Sequence, residues 1–151
     1  MVQQAEREFE FDVFVSYRQR EPDITWVRQV LVPSLDDAAL RVCVDYRTFE
    51  LGIALITSMA AAVESSRYTV AVMSPGYFES EFTTLERIMA QHLGLEERQR
   101  RLIGLMLEET EVPTEIRPFL WLDVSDVGDA SDSKLSHLTD TVGKPLTGES
   151  R

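Results

Sequence analysis

Three short stretches concentrate the side chains that could do chemistry. Ser16-Tyr17-Arg18 closes one apolar run, Asp45 closes another, and Ser74, Tyr77 and Glu86 follow a third. Together they offer carboxylate, hydroxyl and aromatic groups. A carboxylate can accept from ribose hydroxyls while rings meet a base, so the set suits a sugar–nucleobase ligand. Arg18 reads either as a solvated loop charge or as a phosphate or ribose contact. Asp45 reads either as a ligand group or as a residue that closes a strand and ties down the next loop. Other chemistries lack their residues. One cysteine, Cys43, and two distant histidines, His92 and His137, make no zinc set. No G-x-G-x-x-G follows a strand, and no G-x-x-x-x-G-K-[ST] is present. A phosphoacceptor site would need an acidic cluster after the first strand, where Ser16-Tyr17-Arg18 stands instead.

These residues need elements that bring them to one edge. The organising stretch is Arg67 to Glu86. Tyr68 to Met73 is apolar on both faces, as a strand buried inside a parallel sheet must be. Ser74-Pro75-Gly76 stops it. Ser80, Thr83 and Thr84 offer caps for a helix through Leu85, Ile88, Met89 and His92. Upstream, Phe11 to Tyr17 and Arg41 to Asp45 read as strands. Between them Asp23 can cap a helix carrying Ile24, Val27, Val30 and Leu31, which Pro33 should kink or end. A loop, Tyr46 to Gly52, precedes a helix from Ile53 to Ser66 with a stripe of Ile56, Met59, Ala60 and Val63. Downstream, Gly94 to Arg101 reads as a charged connection. Leu102 to Leu107 is a fourth strand, Glu108 to Pro118 a loop, and Phe119 to Leu122 a short fifth strand.

Strands alternating with helices predict a flavodoxin-like, doubly wound α/β domain. Its sheet is five-stranded, parallel and ordered 2-1-3-4-5, with helices on both faces. Ligands in such sheets bind beyond the carboxyl ends of the strands, where all three stretches converge. The organisation expected is an N-terminal extension over 1–10 and a core over 11–123. A weak terminal helix and a polar tail or linker follow over 124–151, with a fused domain possible beyond it.

Fifteen basic against 26 acidic residues leave a net charge of −11 among 151 residues. That balance argues against nucleic acid and against an anionic membrane surface. The start has no apolar signal core, and no apolar run is long enough to span a bilayer. A cytoplasmic protein is expected, with Cys43 buried and unpaired.

Taken in order, several stretches resemble the Toll/interleukin-1 receptor (TIR) domain. Phe11-Asp12-Val13-Phe14-Val15-Ser16-Tyr17 looks like its first box. Asp45 through Gly52, DYRTFELG, looks like its second box and BB loop, and Phe119-Leu120-Trp121 is similar to its third box. Ala62 to Arg67 follows the family's helix-to-strand join. The flavour is bacterial. Many bacterial and plant TIR domains cleave the nicotinamide–ribose bond of NAD, with a glutamate in S-x-x-Y-x-x-S-x-W-C-x-x-E. Ser74, Tyr77, Ser80, Phe82, Thr83 and Glu86 hold that spacing, with Phe82 for the tryptophan and Thr83 for the cysteine.

The resemblance therefore implies Glu86 as the catalytic carboxylate. Ser16, Tyr17, Arg18, Asp45, Ser74, Tyr77 and Phe82 become substrate-binding candidates. NAD is then a substrate rather than a cofactor, and no metal is needed. The resemblance also implies self-association through the loop carrying Tyr46, Arg47, Phe49, Leu51 and Gly52. Phe49 is the expected docking knob, and Leu51 stands where the family has proline. Two readings stay open. Thr83-x-x-Glu86 also spells a capping box. The domain could also be a non-catalytic signalling adaptor.

Overall fold

The computed structural model describes residues 9–79, 81–111, 121–125 and 129–143. Five parallel strands form one sheet: β1 (Phe11–Ser16), β2 (Val42–Cys43), β3 (Ser66–Met73), β4 (Leu102–Met106) and β5 (Trp121–Asp123). Their spatial order is β2-β1-β3-β4-β5, the order expected. Register places Ser16 beside Ala71 and Met73 beside Met106, so the strand ends meet at one edge.

Side chains alternate across each strand and build two cores. Val13, Val15, Val70 and Val72 pack on one face against helix α1, which runs from Asp23 to Asp37, and against α6 (Asp129–Val142). Phe14, Ala71, Met73 and Met106 pack on the other face against α3 (Leu55–Ser65) and α4 (Glu81–His92). A single turn, α2 (Asp45–Thr48), follows β2, and α5 (Leu95–Arg101) precedes β4.

Several expectations are corrected. Of the two outcomes expected at Pro33, a kink or an end, the end does not occur and the helix continues past it. The chain passes from an α segment (Asp23–Trp26) through a π turn (Val27–Leu31) into a second α segment (Val32–Asp37). The wider π turn, with Val32 N–H donating to the Val27 carbonyl, absorbs the missing proline donor. The stretch Gly94 to Arg101 is not a plain connection, because Leu95–Arg101 is helical. Glu96 and Glu97 sit at its positive end and Arg100 and Arg101 at its negative end. Arg101 is buried and donates to the carbonyls of Val63 and Ser66 at 2.9 and 2.7 Å, closing the end of α3. On α3 the buried stripe is Met59, Ala62 and Val63, while Ile56 stays 47% exposed. The helix α6 is longer than expected, and Leu135, Leu138 and Val142 carry the core past residue 123. Phe119 and Leu120 lie outside the described residues.

The amino-terminal edge of the sheet is held by charge. Asp12 is buried, accepts from the Arg41 backbone N–H at 2.7 Å, and pairs with Arg41 and Arg67 at 2.9 and 3.0 Å. Burial works against the Asp12 charge. Arg41, through its side-chain and backbone bonds, and Arg67 outweigh that and hold the carboxyl below its ordinary value.

Candidate functional site

The opposite edge carries a pocket of about 300 Å3. Its walls come from four elements. The end of β1 gives Phe14, Ser16 and Tyr17. Asp45 opens α2, and Phe49 follows it. Leu55 and Met59 come from α3, and Glu81 begins α4. Its apolar side is thus built by Phe14, Phe49, Leu55 and Met59. Two carboxylates, Asp45 and Glu81, and the amide of Gln19 stand on the polar side.

Asp45 is the hub of that polar side. Its Oδ1 accepts from the Tyr17 hydroxyl and from the Tyr46 N–H, each at 2.8 Å, and its Oδ2 accepts from the Gln19 amide at 3.0 Å. Burial, then the Asp45 carboxylate, push the Tyr17 phenol up to about 12, so it stays a neutral donor at physiological pH. Gln19 N–H also approaches the Glu81 carboxylate at 3.5 Å, which links the β1 loop to the start of α4. Among the described residues no cluster of His, Cys, Asp and Glu could hold a metal ion.

Several expected site residues are also bonded or packed into the frame. The hydroxyls of Ser16 and Tyr77 share a buried hydrogen bond of 2.8 Å, and Tyr77 is wholly buried, so its ring offers no face to a ligand in this arrangement. Burial pushes the Tyr77 phenol up. Phe82 is buried against Phe78 and Tyr77, with ring centroids 5.3 and 5.9 Å away. Ser74 donates to Asp23 Oδ2 at 2.6 Å, and both side chains are fully buried. Asp23 itself therefore does not cap α1. Pro22 holds that position, without any side-chain cap bond. Arg18 lies over Gly76, where an added Cβ would meet its Cζ at 2.7 Å. The missing side chain of Gly76 leaves that space to the guanidinium.

Glu86 stands one turn after Phe82 on α4, half-buried, and outside the residues that line the pocket. The capping-box alternative fails. The helix begins at Glu81, and the Thr83 hydroxyl donates back to the Phe78 carbonyl at 3.1 Å. Glu86 is therefore an interior helix residue, and it makes no hydrogen bond or ion pair to another described residue. Ser80, the motif's third member, lies outside the described residues.

The loop after β2 divides its residues. Arg28 covers the Tyr46 ring at 4.3 Å, and Arg47 pairs with Asp36 at 2.8 Å. Phe49 is half-buried and stacks on Phe14 at 6.1 Å, so it is a wall and not a knob. The protruding residue is Leu51, fully exposed beside Gly52, whose φ of 89° favours glycine. Ile53, Leu55 and Ile56 extend that apolar surface along α3.

The sequence model of the TIR domain family matches residues 13–139, from within β1 through β5 and over every residue of the pocket. The chain belongs to the TIR domain family. Human Toll-like receptor 6 is 30% identical over 107 residues, covering 71% of this chain and 13% of the receptor. Mouse Toll-like receptor 13 is 34% identical over 107 residues, covering 69% and 11%. The chain thus spans about an eighth of the length of such receptors. Among solved structures, the TIR domain of the Toll-related receptor TRR-2 from Hydra magnipapillata aligns with a TM-score of 0.73 at 23% identity. That alignment covers 89% of this chain and 99% of that domain. A metazoan TIR-STING receptor from C. gigas aligns with a TM-score of 0.71 at 19% identity, covering 91% and 42%. These likenesses give this TIR domain its fold. These relatives are animal receptors, and they do not show a bacterial origin or NAD cleavage for this chain.

Gln19 and Glu81 carried no site signal in the sequence, and Asp23 was expected only as a helix cap. Gln19 lies in a polar loop without periodicity. Glu81 had one local signal, an acidic residue at the first position of a helix.

Proposed function

We propose that this TIR domain cleaves the nicotinamide–ribose bond of NAD, with Glu86 as the catalytic carboxylate. One observation carries the reading. The Ser74-to-Glu86 spacing puts a half-buried carboxylate, with no partner among the described residues, on the helix whose first residue borders the pocket. Structural carboxylates in this molecule are bonded, as Asp12, Asp23 and Asp45 are. A half-buried carboxylate lacking such bonds is available to a ligand.

The chemistry follows from the charge. In NAD the pyridinium ring carries the positive charge, and the C1′–N bond breaks with its electron pair going to the ring. Nicotinamide leaves neutral, so no acid need protonate it. Positive charge passes to the ribose, where a nearby carboxylate stabilises it. Water bonds to C1′ and gives up its proton to solvent. The apolar wall of Phe14, Phe49 and Leu55 suits a flat ring, and Asp45 and Glu81 favour a cationic one.

The test is incubation of concentrated protein with NAD and chromatography for nicotinamide. Glu86→Gln should stay folded and release nicotinamide about a hundredfold more slowly. A folded Glu86→Gln protein cleaving at the wild-type rate would refute the assignment.

A second reading is an association module without turnover. The exposed apolar surface of Leu51, Ile53, Leu55 and Ile56 favours it. Wild-type protein that releases no nicotinamide at high concentration, yet self-associates, would select it. Self-association also fits the catalytic reading, because a neighbouring copy could cover the open pocket.

A further inference from the structure

A second cavity of about 360 Å3 lies beneath the loop after β2, on the far side of Phe49 from the strand-edge pocket. Its floor is Phe11, Cys43 and Ala62, and Phe49 forms the wall it shares with the first pocket. Small side chains of α3 make room for it. Thr57, Ser58, Ala61 and Ser65 recur at helical spacing along that side. The mouth carries two exposed carboxylates, Glu10 and Glu50, and among the described residues no lysine or arginine lines the cavity.

We propose that this second cavity binds a small organic cation with an aromatic or aliphatic body. Size, wall chemistry and charge select that class together. The volume suits a body of one or two rings. Phe11 and Phe49 offer ring faces that attract a cation, and the hydroxyls of α3 can orient an N–H donor. An anion of the same shape would meet Glu10 and Glu50 on a chain of net charge −11. A membrane or an acidic peptide is disfavoured on the same ground. The occupant would touch Phe49, which stacks on Phe14 in the neighbouring pocket, so binding at one site would restrain the wall of the other. That coupling rests on the proposed NAD chemistry; the binding itself does not.

The experiment compares two probes with one body and opposite charge, 4-phenylbutylammonium and 4-phenylbutyrate. Each is titrated into the full chain, and binding is followed by amide chemical shifts. The lone Cys43 supplies a second readout through its reaction with a neutral thiol reagent. The ammonium probe should shift the amides of Thr57, Ser58, Ala61 and Ser65 and slow the labelling of Cys43. It should bind about tenfold more tightly than the carboxylate probe, a preference that falls in high salt. Glu50→Gln should reduce that preference. Ala61→Trp, at an exposed helix position, should block binding while leaving remote amide shifts unchanged. Equal binding of the two probes, no binding of either, or shifts confined to Ser16, Gln19 and Glu81 would overturn the proposal. Undiminished binding to Ala61→Trp would do the same. Loss of nicotinamide release in Glu86→Gln would leave all these binding results in place, which separates this proposal from the catalytic one.

Discussion

Ser74→Ala separates a framework role for Ser74 from a ligand role. The hydroxyl donates to Asp23 Oδ2 at 2.6 Å in a fully buried position, joining the end of β3 to the start of α1. Asp23 Oδ1 is buried with no partner among the described residues, so this one bond carries most of the carboxylate's compensation. Removing it leaves the carboxylate without its one side-chain hydrogen bond to a described residue. A hydrogen bond to a charged group contributes about 1.5–3 kcal/mol, and that is the expected loss at pH 7. For a domain of this size each kcal/mol lowers the melting temperature by about 2–4 °C, so a fall of about 3–12 °C should follow.

The pH dependence sharpens the test. Burial raises the Asp23 carboxyl above 3.8, while the Ser74 bond and the positive field of Arg18 pull it back. A carboxyl raised in the folded state contributes stability that is full below 3.8 and is lost as pH climbs through the folded value. Ser74→Ala raises the folded value further and so extends that loss. Urea denaturation of both proteins at pH 4 and pH 7 should therefore show a wider gap at pH 7. An equal gap at the two pH values, or a melting temperature within about 1 °C of wild type, would refute the role given to Ser74.

Three further outcomes are expected. Asp12 is held below its ordinary value, so the stability it contributes is present above 3.8 and lost as pH falls through its folded value. Asp12→Asn should cost about 1.5–3 kcal/mol at pH 7 by urea denaturation, and less as the pH is lowered. Glu86→Gln should melt with wild type, within about 0.5 kcal/mol by urea denaturation at pH 7, because the side chain has no partner among the described residues. Leu51→Asp should also leave stability within about 0.5 kcal/mol, and sedimentation should show weaker self-association if the protruding loop forms the contact.

The sheet was legible because strands buried on both faces read as apolar runs that local sequence cannot disguise. The second strand came out shorter than its apolar run. Arg41 is drawn back to Asp12, and Asp45 turns the chain into α2. Helix α5 was not legible because Leu95–Arg101 has no apolar period. Its anchor is Arg101, which bonds carbonyls more than 30 residues upstream. The site was legible at the level of which loops meet, since topology alone brings the ends of β1, β2 and β3 together. Which side chains face the pocket was not. Ser74 finds Asp23 across 51 residues and Ser16 finds Tyr77 across 61, and no local spacing encodes either pair.

The two edges of the sheet use their carboxylates differently. At the amino-terminal edge Asp12 pairs with both Arg41 and Arg67, which ties β1 to β3 and to the residue before β2. At the carboxyl edge the short aspartates are equally committed. Asp23 holds Ser74, and Asp45 holds Tyr17, Gln19 and the Tyr46 N–H. An aspartate carboxylate one methylene from the backbone is well placed to fix that backbone and poorly placed to follow a ligand. The glutamates of α4 have one more methylene and sit on a helix already held by Phe82, Leu85, Ile88 and Met89. The Glu86 carboxylate is therefore positioned by a rigid scaffold and bonded to no described residue. The proposed NAD chemistry would need that combination, because charge on the ribose appears only in transit and must meet a group that is already in place. On this ground Glu86, rather than Asp45, is the residue whose loss should stop the chemistry while leaving the fold intact.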